Sequence, residues 1–211
     1  MTTSIGLGDA VADAIGFPRE TVQLHLKTIR AAGAITFKGY GRSAADMTPL
    51  DAARLIVAVL GSTFARESEV TLKKFCKLVP HRANVREATL EEFLAMRIGR
   101  LPFERHFPES HKFNPRAWGR SRRLTRVALE LMWIAGEVGL DMSAFAVVRW
   151  LRADGGNEAM AFASDRQKPP VFDQYDLAEH YPQARIVQVR TVMTEAMVDI
   201  AEALLPRRGA V

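Results

Sequence analysis

Between Gly16 and Gly33 the chain carries a stretch that admits few conformations. Pro18 has a fixed φ and no N–H, which suits the opening of a helix. Gly33 stands where helices commonly end in the left-handed conformation. Between them Val22, Leu26 and Ile29 recur at i, i+4 and i+7, a single apolar stripe. Arg19, Gln23, Lys27 and Arg30 fall on the opposite side, with Glu20, Thr21 and Leu24 beside them. Residues 9–15 predict a shorter helix just before, ending at Gly16. Two helices joined by a glycine turn, one of them with a long polar face, therefore open the chain.

Further local signals follow. Residues 34–38 suit a short strand and Gly39-Tyr40-Gly41-Arg42 a loop tip. Thr48-Pro49 with Asp51 starts a third helix, apolar from Leu50 to Leu60 and ending near Gly61. Residues 72–78, 89–98 and 122–138 read as helices. Residues 99–119 hold Pro102, Pro108 and Pro115 and read as a linker or irregular segment. Two apolar runs around Asp154-Gly155-Gly156-Asn157 read as a hairpin of residues 146–152 and 158–163. Residues 185–192 suit a further strand and 194–205 a closing helix. The expected fold is α+β and mostly α. It has an N-terminal winged-like helix-turn-helix unit over 1–62 and a helical connector with a basic Pro/Arg-rich segment over 63–120. A C-terminal α+β part over 121–211 carries a small antiparallel sheet with its closing helix.

Charge is uneven along the chain. Residues 1–126 hold 21 basic and 12 acidic side chains, and residues 127–211 hold 8 and 12. The first part therefore carries +9 and the rest −4, an asymmetry suited to a polyanionic partner on one side only. Seven arginines, among them Arg120, Arg122 and Arg123, lie in residues 100–126 with Lys112, against Glu104 and Glu109. They suit either a second phosphate contact or pairing with the acidic C-terminal part.

On its polar face the helix after Pro18 has the chemistry of a major-groove reader. Arg bonds guanine bidentately, Gln bonds adenine, and Lys neutralises phosphate. The run Val11-Ala12-Asp13-Ala14-Ile15-Gly16-Phe17-Pro18-Arg19-Glu20-Thr21-Val22, continuing Leu26-Lys27-Thr28-Ile29-Arg30-Ala31-Ala32-Gly33-Ala34-Ile35, resembles winged helix-turn-helix regulators. The resemblance implies a recognition helix over 18–32. It also implies a wing over 36–42, in which Lys38, Tyr40 and Arg42 touch phosphate or the minor groove. Such domains have a helix ahead of the pair, and here six residues precede Leu7. The apolar face of the pair therefore needs another cover, and the third helix is the nearest candidate. Gly39 to Ser43 and Thr48 to Ile56 also resemble regulators found in phage, prophage and gene transfer agent clusters of alphaproteobacteria.

Other chemistry finds little support. The single cysteine, Cys76, excludes an internal disulfide and a Cys-based zinc site; its lysine neighbours could lower its pKa, but a half-buried spectator is the reading expected. His106 and His111 lack a further ligand set, and the phosphate-loop, nucleophile-elbow and zinc-protease motifs are missing from the sequence. No enzymatic activity and no cofactor are expected. The N-terminus has no signal-peptide pattern and no run is long enough to span a bilayer, so a cytoplasmic, nucleoid-associated protein is expected. The partner expected first is double-stranded DNA, then RNA polymerase or another regulator, or a second copy in a homodimer, with no membrane. The function implied is sequence-specific transcription regulation of phage-like or gene transfer agent genes. The alternative is a DNA-packaging or recombination accessory protein, small-terminase-like or excisionase-like, that marks a DNA site.

Overall fold

A computed structural model describes residues 2–37, 45–81, 89–106, 128–135, 144–151, 157–165, 170–173, 176, 179–180, 186–192 and 194–205. Among them are six α-helices: α1 Ser4–Ile15, α2 Arg19–Ala31, α3 Pro49–Gly61, α4 Ser68–Phe75, α5 Leu90–His106 and α6 Thr194–Ala203. Five strands are β1 Val79–Pro80, β2 Ala128–Ala135, β3 Ala144–Leu151, β4 Asn157–Ala163 and β5 Ile186–Val192. The strands form one antiparallel sheet in the order β1-β4-β3-β2-β5. The α+β class expected from the sequence is therefore observed.

Local chemistry sets the ends of the first three helices. Thr3 caps α1, its Oγ1 accepting from Gly6 N at 3.2 Å. Gly16 ends α1 at φ 71°, a left-handed value that costs glycine little. α1 thus starts five residues before Asp9, where the sequence predicts it to begin. Thr48 and Asp51 cap α3 reciprocally, and the Asp51 carboxylate also accepts from Thr36 N at 2.9 Å. Residues 34–37, expected as the start of a strand, form none, because that N–H is taken by the cap of α3. The rest of the expected wing, with Lys38, Tyr40 and Arg42, lies outside the described residues.

α3 is the hub. Ala52, Ala53, Leu55, Ile56, Val57, Ala58 and Val59 are all fully buried. α1, α2, α4 and α5 pack against it, so α3 covers the helix pair as expected. The cover is shared, however: α6 also lies against α1 and α5. The N-terminal segment is pinned at that corner, with Met47 N donating to Thr2 O at 2.9 Å and Thr2 Oγ1 donating to Ala203 O. Arg54 of α3 joins two neighbours, bonding Ala34 O at 2.9 Å and the Glu91 carboxylate at 2.7 Å.

The sheet has two covered faces. Leu129, Leu131, Trp133, Ala144, Ala146, Val148, Trp150, Met160 and Phe162 belong to the main core with the helices. Met132, Phe145, Val147, Ala163 and Val171 form a smaller cluster on the other face. Phe93 of α5 sits 5.4 Å from Trp150 and 5.3 Å from Phe162, ring centre to ring centre. The hairpin of β3 and β4 matches the sequence expectation, with Ala146 opposite Phe162.

Two expectations are corrected. Within residues 122–138, read as a helix, the structure places strand β2 between β3 and β5. A strand apolar on both faces loses the period-two alternation, so its sequence is indistinguishable from a buried helix. The irregular stretch expected over 99–119 does not begin at Gly99, since α5 runs on past Pro102 to His106, and residues 107–119 lie outside the described residues. Gly99 lies where α5 meets the first turn of α3, and a β-carbon there would contact Pro49 Cγ at 3.4 Å. That glycine marks a helix contact, not a helix end.

Candidate nucleic-acid interface

α1, the turn at Gly16-Phe17-Pro18 and α2 form a compact pair. Val22, Leu26 and Ile29 are buried as their spacing predicts, and His25 joins them. This stripe docks α2 on α3 and leaves the other face outward. Arg19, Glu20 and Lys27 are exposed, while Thr21, Gln23 and Arg30 are half-buried. Arg120, Arg122 and Arg123 lie outside the described residues.

Two of the outward side chains are held by α1. The Asp13 carboxylate accepts from Arg19 Nε at 3.0 Å and from Nη2 at 2.6 Å. This pair raises the arginine pKa further, through the hydrogen bond first and the charge of Asp13 second. Both partners are more than half exposed, so the pair orients the guanidinium more than it stabilises the fold. A guanidinium has five N–H donors, and Asp13 uses two. Among the described residues nothing takes the Nη1 edge. Gln23 is more committed, because its Nε2 donates at 3.1 Å both to Ile5 O and to an Asp9 carboxylate oxygen. Only its Oε1 remains for another partner.

Arg30 stacks over Phe37, 4.9 Å from the ring centre, and so links the end of α2 to the chain beyond Gly33. Leu24 and Phe37 are exposed apolar side chains on this side of the molecule. Asp9, Asp13 and Glu20 balance Arg19, Lys27 and Arg30 in number. The described part of this face is thus neutral overall, and the excess of positive charge in residues 1–126 lies elsewhere.

Beneath α2 is a polar cluster that sequence reasoning missed. His25 Nδ1 lies 2.8 Å from Ser68 Oγ and 3.4 Å from Ser62 Oγ. Burial, and secondly the charge of Arg190, push the His25 pKa down. Arg190 of β5 caps the end of α3, with Nη1 donating to Leu60 O at 3.1 Å and Ser62 O at 2.8 Å. Cations at this end of a helix meet unsatisfied carbonyls and the negative pole of its dipole. One signal was present in the sequence: His25 falls beside Leu26 within the apolar stripe, where a polar group needs a partner.

Cys76 is buried, and burial pushes its thiol pKa up, with Glu91 adding to the shift. Cys76 is thus a buried spectator, and the charge of Arg54, which acts the other way, does not offset the desolvation. No helix among the described residues is long and apolar enough to cross a membrane. Comparison with protein-family models, with curated proteins and with solved structures finds no match for this chain.

Proposed function

We propose that the chain is a sequence-specific DNA-binding transcription regulator that reads duplex DNA with the first turns of α2. The phage-like or gene transfer agent setting rests on the resemblance of the segments around Gly39 and Thr48. One observation carries the reading. α2 is anchored by Val22, Leu26 and Ile29, while Arg19, Glu20 and Lys27 stay outward beside a glycine turn. A helix presented in this way enters a major groove with its N-terminal residues deepest.

In this reading Asp13 aims Arg19, whose free Nη1 edge bonds a guanine. Lys27 meets phosphate. Gln23 holds the helix pair together and offers only its Oε1. Phosphate neutralisation falls mainly to Lys38, Arg42 and the arginines at 120, 122 and 123, because the face of α2 is itself neutral.

The test is a titration of a mapped genomic site and of random duplex by fluorescence anisotropy. Arg19→Ala loses about tenfold or more of the discrimination between them, the scale of a bidentate base contact. Lys27→Ala weakens both nearly equally, since a phosphate contact carries no base information. Undiminished discrimination in Arg19→Ala would refute the role given to α2.

A second reading has one observation in its favour. Leu24 and Phe37 are exposed beside a charge-balanced helix face. Protein interfaces favour aromatic and apolar centres with few unpaired charges. On that reading the face of α2 binds a protein, and replacing Leu24 and Phe37 by Ser abolishes the association while DNA affinity at low salt is unchanged.

A further inference from the structure

A cavity of about 340 Å³ opens between α4 and the sheet, and none of its lining residues belongs to α2. Its volume is at the lower end of small-ligand sites. Trp133 of β2 and Phe75 of α4 give it an aromatic floor, the two rings meeting edge to face at 6.0 Å. Gln188 of β5 stands across from Trp133 in the same cross-strand row. Val70, an apolar side chain 54% exposed, lies on the rim with no other evident use.

Of the polar groups of this wall, Thr63 Oγ1 is spent, accepting from Arg190 Nη2 at 3.1 Å, and the Arg190 guanidinium lies 5.5 Å over the Trp133 ring centre. Glu67 and Lys74 are half-buried, and neither side chain makes an ion pair or hydrogen bond with another described residue. Their neighbours behave differently, for Lys73 pairs with Glu69 at 2.6 Å. Thr71 is 7% exposed, and its hydroxyl makes no hydrogen bond to another described residue either. That hydroxyl is not among the buried polar atoms left without a partner, so it is open to the cavity and available to a ligand. One carboxylate, one ammonium and a hydroxyl thus surround an aromatic floor.

We propose that this cavity binds a small zwitterion with an apolar body, of the free amino acid class. Its ammonium faces Glu67, its carboxylate faces Lys74 and the Thr71 hydroxyl, and its side chain lies on Trp133 and Phe75. Either charge alone would leave one of the two protein charges without a partner, so a zwitterion is preferred over an amine or an acid. Ser68 begins α4, and its hydroxyl holds His25 of α2 at 2.8 Å. The ligand therefore stiffens the helix on which α2 rests. The binding itself is independent of any role of α2 in DNA recognition.

The test is isothermal titration of the full chain with L-phenylalanine and L-leucine, beside phenethylamine and 3-phenylpropanoate, which each carry one of the two charges. At least one amino acid is expected to bind saturably at millimolar concentration or below. The single-charge analogues should bind tenfold or more weakly. Glu67→Gln and Lys74→Met, both at the rim and harmless to the core, should each weaken the amino acid about tenfold while the melting temperature of the free protein is unchanged. Absence of saturable binding by either amino acid overturns the proposal. So does binding that is indifferent to both substitutions, or that is equally strong for a single-charge analogue.

Discussion

Gln23 lies across Gly8: a β-carbon built on residue 8 would stand 2.5 Å from Gln23 Nε2. The bare backbone of α1 at this point is what lets the amide reach Ile5 O and Asp9 together. Gly8→Ala would push a flexible side chain aside, not backbone. The helix gains about 1 kcal/mol from the better helix former. Two hydrogen bonds worth about 1 kcal/mol each are weakened or lost. Urea unfolding should therefore find Gly8→Ala within about 1 kcal/mol of wild type on these opposing magnitudes. A loss larger than about 3 kcal/mol, beyond both magnitudes, would show that Gln23 cannot move.

Gly61 is the contrasting case. Its β-carbon would meet Thr71 Cγ2 at 2.6 Å, with Leu131 and Phe75 side-chain atoms at 3.3 Å. Thr71 is β-branched and buried, so it cannot yield as Gln23 can. Gly61→Ala should destabilise by about 1–3 kcal/mol, the usual cost of overpacking. The same denaturant titration that finds Gly8→Ala nearly neutral checks it.

Asp51 serves both the start of α3 and the exit of α2. It accepts from Thr48 N and Thr48 Oγ1, each at 2.8 Å, and from Thr36 N at 2.9 Å, while being 2% exposed. Asp51→Ala removes a cap and strands the donors it serves. The combined loss should be about 2–4 kcal/mol. Asp51→Asn keeps an acceptor and should lose clearly less. Equal losses in the two variants, read by thermal and urea unfolding, would contradict the hydrogen-bond account.

His25 predicts a pH dependence. Its folded pKa lies below the ordinary 6.5, through burial first and the charge of Arg190 second. Arg190 is the charged group facing it from β5, and α3 and α4 face it with the neutral Ser62 and Ser68. A base with a depressed folded pKa is neutral in the fold, while the unfolded chain takes up the proton first as pH falls. The fold is thus unaffected by this group above 6.5 and loses stability as pH drops from there toward the folded pKa. Stability of wild type and His25→Gln compared between pH 7.5 and 5.5 should show the slope in wild type and a flatter line in the variant, about 1.4 kcal/mol per proton per pH unit at most. Parallel slopes would place the titration elsewhere.

Much of the helical framework was legible because its signals are local. The Pro18–Gly33 frame and the Thr48–Asp51 cap act within one turn, and each sets a helix end whatever surrounds it. The β3–β4 hairpin was legible for the same reason, its strands being neighbours in sequence. The first turns of α1 are not legible in sequence because Gly6 and Gly8 are poor helix formers, and the contacts that hold them, Gln23 and the buried Leu7, come from farther along the chain or from the core. The sequence of β2 has the look of a helix because both its faces are covered, by Leu131 and Trp133 on one side and Met132 on the other.

The candidate site divides along the same line. By itself the sequence determined which side of α2 turns inward, since Val22, Leu26 and Ile29 must leave water together, and it therefore determined that Arg19 and Lys27 turn out. Only the tertiary structure decided what those outward groups are free to do. Asp13 takes one edge of Arg19, Asp9 and Ile5 take the amide protons of Gln23, and Thr36 N goes to Asp51 instead of a strand. Glu67, Thr71, Lys74, Trp133 and Gln188 share a cavity although 121 residues separate the first from the last. Burial of an apolar stripe follows from each side chain's own aversion to water. A hydrogen bond or a cavity needs two specific groups within a few ångströms, and nothing short of the folded chain brings distant groups that close.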